Sequence, residues 1–272
     1  MTAQENLRAP RGLHGKLARA TRVVSLVPSW TETLFALGAG GAVVGRTRYC
    51  IEPPRARTVT EIGGTKTPRV EDILRLRPEL VIVSAEENRF EDFVRLREAQ
   101  VAVFVSLPTK LEDVVEELLE LGPLVGCAEE ARHLAGEIRR AKKEVEGEAT
   151  ARRRLRVFCP IWKNPWMTFR SDTYASAVLG TCGADNVSAD APDRYPLVSL
   201  DEVARAEPEA LLLPNEPYRF GPRDLPSLSS LLFPRGPARQ VRFVDGRALC
   251  WYGVRTPAGL RELGRVTGEL VA

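Results

Sequence analysis

The chain has 272 residues, 44% of them hydrophobic and 28% charged, with a formal net charge of +3. That length gives one large domain or two modest ones with sizeable cores, and the composition is ordinary for a soluble globular protein. Basic and acidic residues are interspersed, and no apolar run is long enough to cross a bilayer. The expectation is therefore no nucleic-acid partner and no membrane insertion.

Residues 1–20 read as an N-terminal tail. They lack the apolar core of a secretory signal, so the sequence as written predicts a cytoplasmic protein. A processed or misassigned start would place it in the periplasm or elsewhere outside the cytoplasm. From Arg22, "RVVSLVPSWTETLFALGAG" reads as a short β-rich run, a proline-bearing loop and a helix ending at Leu37-Gly38, with the glycine as C-cap. Ser29 and Glu32 have the spacing of a capping box, which accounts for both. It does not account for Trp30, whose large ring is expected to face a ligand. "GAGGAVVG", Gly38 to Gly45, follows a helix instead of opening one, so it is a turn and not a phosphate loop.

Val70 to Asn88, "VEDILRLRPELVIVSAEEN", predicts a helix and then the continuous apolar strand Leu80 to Val83. Such a strand suits a parallel sheet covered on both faces. "QVAVFV" from Gln100 adds a further strand. From Ala128, "AEEARHLAGEIRRAKKEVEGEATARRR" has strong helix formers, no proline, and Leu134, Ile138 and Val145 on a polar background. This predicts one long connecting helix over 127–154, a rigid tether that limits hinge motion.

The second half repeats the first. "LDEVARAEPEALLLPNEPY" from Leu200 aligns with the Val70 segment at a shift of 130 positions. Arg75, Pro78, Glu79 and Glu86 recur as Arg205, Pro208, Glu209 and Glu216. "RVFCPIWKNPWMTFRSDTYASAVLGTCGADN" from Arg156 echoes the Arg22 segment, with its helix ending at Leu179-Gly180, and "QVRFV" from Gln240 echoes "QVAVFV". The predicted fold is α/β, with two pseudo-symmetric lobes of mostly parallel sheet, 21–126 and 155–272, joined by the long helix. Two such lobes make a cleft at the carboxyl ends of their strands, where ligands bind.

Glu86 and Glu216 each follow their lobe's most apolar strand, at the predicted cleft rim. Solvation explains one acid after a strand better than two equivalent ones, so both are candidates for polar contact with a ligand. "CPIWKNPWMTF", Cys159 to Phe169, carries Trp162, Trp166 and two prolines where the first lobe has "VPSW". Indole rings on a proline-stiffened loop offer flat apolar area at little entropic cost, which suits a large planar macrocycle. Tyr49, Tyr195, Tyr218, Phe220, Trp251 and Tyr252 lie near other predicted strand ends, and half of them are expected in the core. The predicted aromatic wall is Trp30, Tyr49, Trp162, Trp166, Tyr218 and Trp251, with Glu86, Glu216, Lys66 and Arg255 as polar partners.

The only histidines, His14 and His133, lie in the tail and the linker, so no bare metal site and no resident cofactor are expected. Cys50, Cys127, Cys159, Cys182 and Cys250 match no zinc spacing and read as buried free thiols. No catalytic residue is assigned. Cys159 has no histidine placed to activate it, although Glu86 or Glu87 with Glu216 has the makings of acid–base chemistry.

"RVVSLVPSWTETLFALGAGGAVVGRTRYC", followed by "GGTKTPRVEDILRLRPELVIV", resembles the opening of the vitamin B12 and iron-siderophore substrate-binding proteins of ABC importers. Val27-Pro28-Ser29-Trp30-Thr31-Glu32 stands where that family has Ser-Pro-x-x-Thr-Glu. Leu76-Arg77-Pro78-Glu79-Leu80-Val81 stands where it has Leu-Lys-Pro-Asp-Leu-Val. The resemblance covers nearly the whole chain after Thr21, more loosely in the second lobe. It implies two α/β lobes on a helical backbone, capture of a cobalamin-like corrinoid, haem or ferric siderophore, and delivery to an ABC permease. It places Lys66, in "GGTK", at the ligand, and Glu71 and Asp201 as acids that dock onto the permease. The first turn of a helix favours acids by itself, which is the structural account of that last pair. The expected function is solute binding for ABC import. The alternatives are a cytosolic carrier or sensor without a permease, or an enzyme using the cleft carboxylates.

Overall fold

Short runs of aliphatic and β-branched residues form the strands, and their order in space explains why the chain repeats itself. The computed structural model describes residues 9–188 and 190–271. It divides into two compact units within the long helix: residues up to Pro108 with Glu112–Gly136, and Thr109–Leu111 with Glu137–Ala272.

The first unit contains β1 (Gly12–His14), β2 (Val23–Ser25), α1 (Pro28–Ala36), β3 (Val43–Arg46), β4 (Thr60–Glu61), α2 (Val70–Arg75), β5 (Leu80–Ser84), α3 (Phe90–Glu98), β6 (Ala102–Ser106) and most of α4 (Leu111–Leu124). Its strands run in the order β1-β6-β5-β2-β3-β4. All neighbours are parallel except β1, which pairs antiparallel with β6. Every residue of β5 and β6 is buried, as their unbroken apolar character requires. The connecting helix is one element, α5 (Ala128–Thr150), ending four residues before the expected Arg154. Its stripe of Leu134, Ile138 and Val145 is buried.

The second unit holds β7 (Leu155–Phe158), α6 (Tyr174–Thr181), β8 (Ala184–Asn186), α7 (Leu200–Arg205), β9 (Ala210–Pro214), β10 (Gln240–Val244), α8 (Gly246–Cys250) and α9 (Thr256–Val271). The order is β10-β9-β7-β8, all parallel. This is the order β6-β5-β2-β3 of the first unit, so the repeated sequence is a repeated topology.

The recurring residues make the same contacts twice. Arg22 precedes β2, and its guanidinium donates to the Leu76 and Arg77 carbonyls at the end of α2, at 2.5 to 3.2 Å. Arg156 on β7 donates to the Ala206 and Glu207 carbonyls at the end of α7. These carbonyls have no partner within their helices, so an arginine there satisfies them. Arg77 and Glu207 both turn left-handed, at φ 47° and 49°. Next, Glu79 accepts from the backbone N–H of Thr21 at 2.6 Å and of Arg22 at 3.2 Å. Glu209 accepts from the backbone N–H of Arg156 at 3.0 Å and from Arg153. In each unit this clasp ties β2 or β7 to the helix–turn–strand that pairs with it.

Several local expectations are corrected. The Ser29–Glu32 capping box does not form, because Pro28 starts α1 and Val27 is its N-cap, with no side-chain cap. Ser29 and Trp30 therefore sit inside the helix. A capping box forms instead at α7, between Ser199 and Glu202. Gly38 does take the left-handed C-terminal position, at φ 90°. Gly180 does not, since α6 runs on to Thr181 and Gly183 turns at φ 79°. A Cβ on Gly183 would lie 3.1 Å from that of Ala149 on α5, so its place is also set by close packing. Cys50, Cys159 and Cys182 are buried free thiols and Cys127 is half-buried, but Cys250 is exposed.

Trp30, expected to face a ligand, is 0% exposed and packs into the core of the first unit. Its ring meets Phe104 edge-on, and its indole N–H donates to Ser106 Oγ at 2.8 Å. Ser106 in turn donates to Glu117 on α4 at 2.6 Å, and the Leu107 N–H donates to the same carboxyl at 2.9 Å. Burial pushes the Glu117 carboxyl up to about 7, with Ser106, Leu107 and Arg11 opposing and Asp113 adding to the rise.

A carboxyl whose folded pKa lies above its unfolded value contributes most stability while protonated. Urea unfolding should therefore show a Glu117-dependent loss of stability as pH rises from 4.5 to about 7, totalling on the order of 3 kcal/mol. Glu117→Gln is expected to flatten that slope. Glu209→Ala should destabilise the second unit by about 1 kcal/mol in urea melts at neutral pH. Because the Glu209 carboxyl is held below its ordinary value, with burial opposing and the Arg156 N–H and Arg153 prevailing, that difference should vanish as pH falls below the carboxylate range.

Candidate ligand-binding site

In the second unit the stretch from Ile161 to Thr168 is a tight hairpin. The Ile161 N–H donates to the Met167 carbonyl at 2.8 Å, and the Met167 N–H donates to that of Trp162 at 3.2 Å. Asn164 makes the turn at φ 61°, a left-handed conformation that asparagine tolerates better than most residues. The Val198 N–H donates to the Trp166 carbonyl at 3.0 Å, which fastens the hairpin from its other side. Trp162 is 44% exposed. Its ring stands edge-on to Tyr218 at 5.9 Å. Tyr218 leans on Phe220 at 4.6 Å, and Phe220 stacks on Trp166 at 6.0 Å with the planes 7° apart. Phe220 is buried core, and Trp166 and Tyr218 pack against the cluster that contains it, with Leu211 and Leu213. The row of rings thus runs from the core to an exposed indole.

Behind the row lies a shielded ion pair. Lys163 Nζ is 2.9 Å from Asp224 Oδ1, with side-chain exposures of 15% and 3%. The Tyr218 hydroxyl donates to the same oxygen at 3.2 Å, and the Gly221 N–H donates to Oδ2 at 3.0 Å. Burial alone would raise the Asp224 carboxyl, but Lys163, the Gly221 N–H and the Tyr218 hydroxyl hold it below its ordinary value.

Glu216 follows β9 by two residues and is half-buried. Burial pushes its carboxyl up and Asp245 adds to the rise, while Arg247, the Trp251 side chain and Arg255 oppose. Its backbone is fixed from α8, since a Cβ on Gly246 would lie 2.5 Å from the Glu216 carbonyl oxygen. The Gly246 N–H donates to Asn215 Oδ1 at 2.7 Å. Trp251, expected in the aromatic wall, is only 8% exposed. The guanidinium groups of Arg247 and Arg255 lie 5.9 and 5.4 Å from its ring centroid. It is a buried support of the Glu216 and Arg255 region and offers no open face, because α8 and the following turn fold it inward. Tyr252 is buried edge-on to Tyr174, and Tyr195 is half-buried beside Arg194.

In the first unit Tyr49 is 55% exposed, three residues past β3. The Arg48 N–H donates to the Gly63 carbonyl at 2.9 Å, drawing the Tyr49 loop against "GGTK". Gly63 has φ 108° and leaves no room for a side chain, since a Cβ would sit 2.6 Å from the Thr67 oxygen. A Cβ on Gly64 would meet the Tyr49 ring at 3.7 Å. Lys66 is exposed on this loop. Buried Asn88 sets the loop's position: it accepts from the Ser84 N–H at 2.7 Å and donates to the Thr65 carbonyl at 2.6 Å. Glu86, two residues past β5, is half-buried.

Within each unit, then, the candidate side chains gather just past the carboxyl ends of parallel strands: Tyr49, Lys66 and Glu86 in one, Trp162, Tyr218 and Glu216 in the other. Asn88, Lys163 and Asp224, which hold them, were missed by the sequence reading. Lys163 and Asp224 are 61 positions apart, and nothing local links them. Asn88 was visible only as the last letter of the repeated segment. Glu71 and Asp201 are exposed in the first turns of α2 and α7, as expected. Glu71 is ion-paired with Arg95. Among the described residues, no group of three or more His, Cys, Asp and Glu is arranged to hold a metal, and no helix is long and apolar enough to cross a membrane.

The sequence profile of the periplasmic binding proteins matches residues 23–219. A vitamin B12-binding protein of Photorhabdus laumondii is 28% identical over 200 residues, which cover 74% of this chain and 73% of that protein. The structure of the periplasmic vitamin B12-binding protein of Vibrio cholerae superposes with a TM-score of 0.82 at 21% identity, covering 92% of this chain and 98% of that one. The apo periplasmic heme-binding protein of Roseiflexus sp. RS-1 superposes with a TM-score of 0.78 at 24% identity, covering 92% and 99%. At these identities the two structures share the fold, and the profile spans well over half the sequence: the chain belongs to the periplasmic binding protein family.

Proposed function

We propose that this protein is the solute-capturing component of an ABC importer and that its ligand is a large flat metal chelate, a corrinoid or a haem. The single observation that carries the ligand class is the exposed Trp162, held on a stiff hairpin at the end of a row of aromatic rings. An exposed indole on a rigid support loses little freedom on stacking and gains a large desolvated area. In the first unit Tyr49 is likewise an exposed ring past strand ends. Lys66 and Glu86 in the first unit, and Glu216 and Arg255 in the second, are the polar groups that would bond to a ligand. The relatives named for vitamin B12 and heme support this choice of ligand. With those chelates the macrocycle brings most or all of the metal's ligands, which agrees with a site built of rings rather than of metal donors.

The family further supports work outside the cytoplasm and delivery to a membrane permease. Glu71 and Asp201 would be the docking acids, one in each unit. Glu86 and Glu216 would act as hydrogen-bonding groups and not as an acid–base pair, so the protein binds its ligand without turnover.

Visible absorbance and calorimetry with cobalamin, cobinamide, haem and ferric siderophores should identify one class that binds. For that ligand, Trp162→Ala should weaken affinity by about 10- to 100-fold, the cost of losing a well-packed aromatic contact. Unchanged affinity would remove Trp162 from the site. The double variant Glu71→Ala/Asp201→Ala should keep wild-type ligand affinity but lose uptake in cells that carry the partner permease. Full uptake by that variant would refute the docking assignment.

A further inference from the structure

Trp162 is useful to a flat ligand only if its ring is held still before the ligand arrives. The hairpin backbone fixes the Cα of Trp162, but a side chain with 44% of its surface in water has little around it to choose a rotamer. One contact does so, the edge-on packing against Tyr218. Lys163, the next residue on the hairpin, turns its ammonium inward over the Trp166 ring, 5.8 Å from its centroid. Tyr218 and Lys163 meet at one carboxylate. Asp224 Oδ1 accepts from Lys163 Nζ at 2.9 Å and from the Tyr218 hydroxyl at 3.2 Å. Its other oxygen accepts from the Gly221 N–H at 3.0 Å and faces Arg223 Nε at 3.9 Å. The Tyr218 backbone N–H also donates to the Ile161 carbonyl at 3.2 Å, so the two loops meet at backbone and side chain alike.

We propose that Asp224 is a positioning residue for ligand capture, which holds Lys163 and Tyr218 together and so fixes the orientation of the Trp162 ring. This rests on the role proposed above for Trp162. The Asp224 side chain is 3% exposed and does not touch the ligand. Without its charge, Lys163 keeps an ammonium in a shielded place with no carboxylate beside it. The ammonium then swings toward water, the hairpin loses its side-chain tie to the Tyr218 loop, and Tyr218, released at its hydroxyl, no longer sets the Trp162 ring. The aromatic area is still present, but the ligand must order it on binding, and affinity falls by the cost of that ordering.

The test uses the full chain labelled with fluorotryptophan, with the Trp162 resonance assigned by its loss in Trp162→Phe. The wild type should give one sharp Trp162 signal without ligand, and Asp224→Asn should broaden or split it. A sharp, unshifted signal in Asp224→Asn would overturn the proposal, whether or not a ligand has been found. In titrations with haem and cobinamide, followed by visible absorbance at a temperature where circular dichroism shows both proteins folded, Asp224→Asn should lose about tenfold or more in affinity for the probe the wild type binds. Tyr218→Phe, which removes one of the two tethers, should lose less. The variant Lys163→Met/Asp224→Leu separates positioning from stability. An apolar pair of this kind is expected to restore the melting temperature, yet it restores neither tether, so affinity should stay low. Recovery of wild-type affinity in that variant would mean that Asp224 matters only for folding, and would overturn the proposal. If the wild type binds neither probe, the ligand class proposed above fails instead, and the resonance still decides whether Asp224 holds the ring.

Discussion

The structure depends on a clasp made twice, between β2 or β7 and the helix–turn–strand that pairs with it. Arg22 and Arg156 reach the last carbonyls of α2 and α7, while Glu79 and Glu209 accept N–H groups at the starts of β2 and β7. Both are ends that secondary structure leaves unsatisfied, the C-terminus of a helix and the beginning of a strand. One arginine and one glutamate answer both, and they fix the register of the parallel pair at its amino end. From that fixed end the strands of each pair run parallel, so the loops that follow them leave from the same edge of their sheet. The candidate ligand residues are carried on those loops.

Those loops are then stiffened by polar groups buried beneath them. Asn88 joins the end of β5 to the "GGTK" loop, Asn186 joins Cys159 to Thr168 and Phe169, and Asp224 joins Lys163 to Tyr218. Asn88, Asn186 and Asp224 are all 2% exposed. A buried polar side chain is costly unless it is well bonded, and once well bonded it holds its partners in one arrangement. Each unit thus carries exposed rings on a rigid base. An exposed aromatic group alone would be a liability in water; on a fixed support it becomes a surface for a flat molecule to lie against.

The tryptophans separate according to what packs behind them. Trp162 and Trp30 occupy corresponding places in the repeat and have opposite fates. Pro28 begins a helix at once, and that helix turns Trp30 onto the sheet, where Ser106 takes its N–H. In the second unit, Pro160 and Pro165 delay the helix, and the extra residues form a hairpin that carries Trp162 outward. Trp251 looked like a ring at a strand end, but α8 intervenes after β10 and turns it under two guanidinium groups.

The sequence by itself determined the α/β class, the duplication and the long helix. It also located the two strand-following acids, Glu86 and Glu216. These are carried by periodicity and by a repeat at constant spacing, both properties of residues near one another along the chain. Only tertiary structure decided which aromatic rings are exposed, that the Ser29 capping box gives way to one at Ser199, and that Lys163 and Asp224 form a pair. The physical reason is that burial and pairing are set by what lies across space, at separations such as the 61 positions between Lys163 and Asp224. Local spacing carries no record of that neighbour.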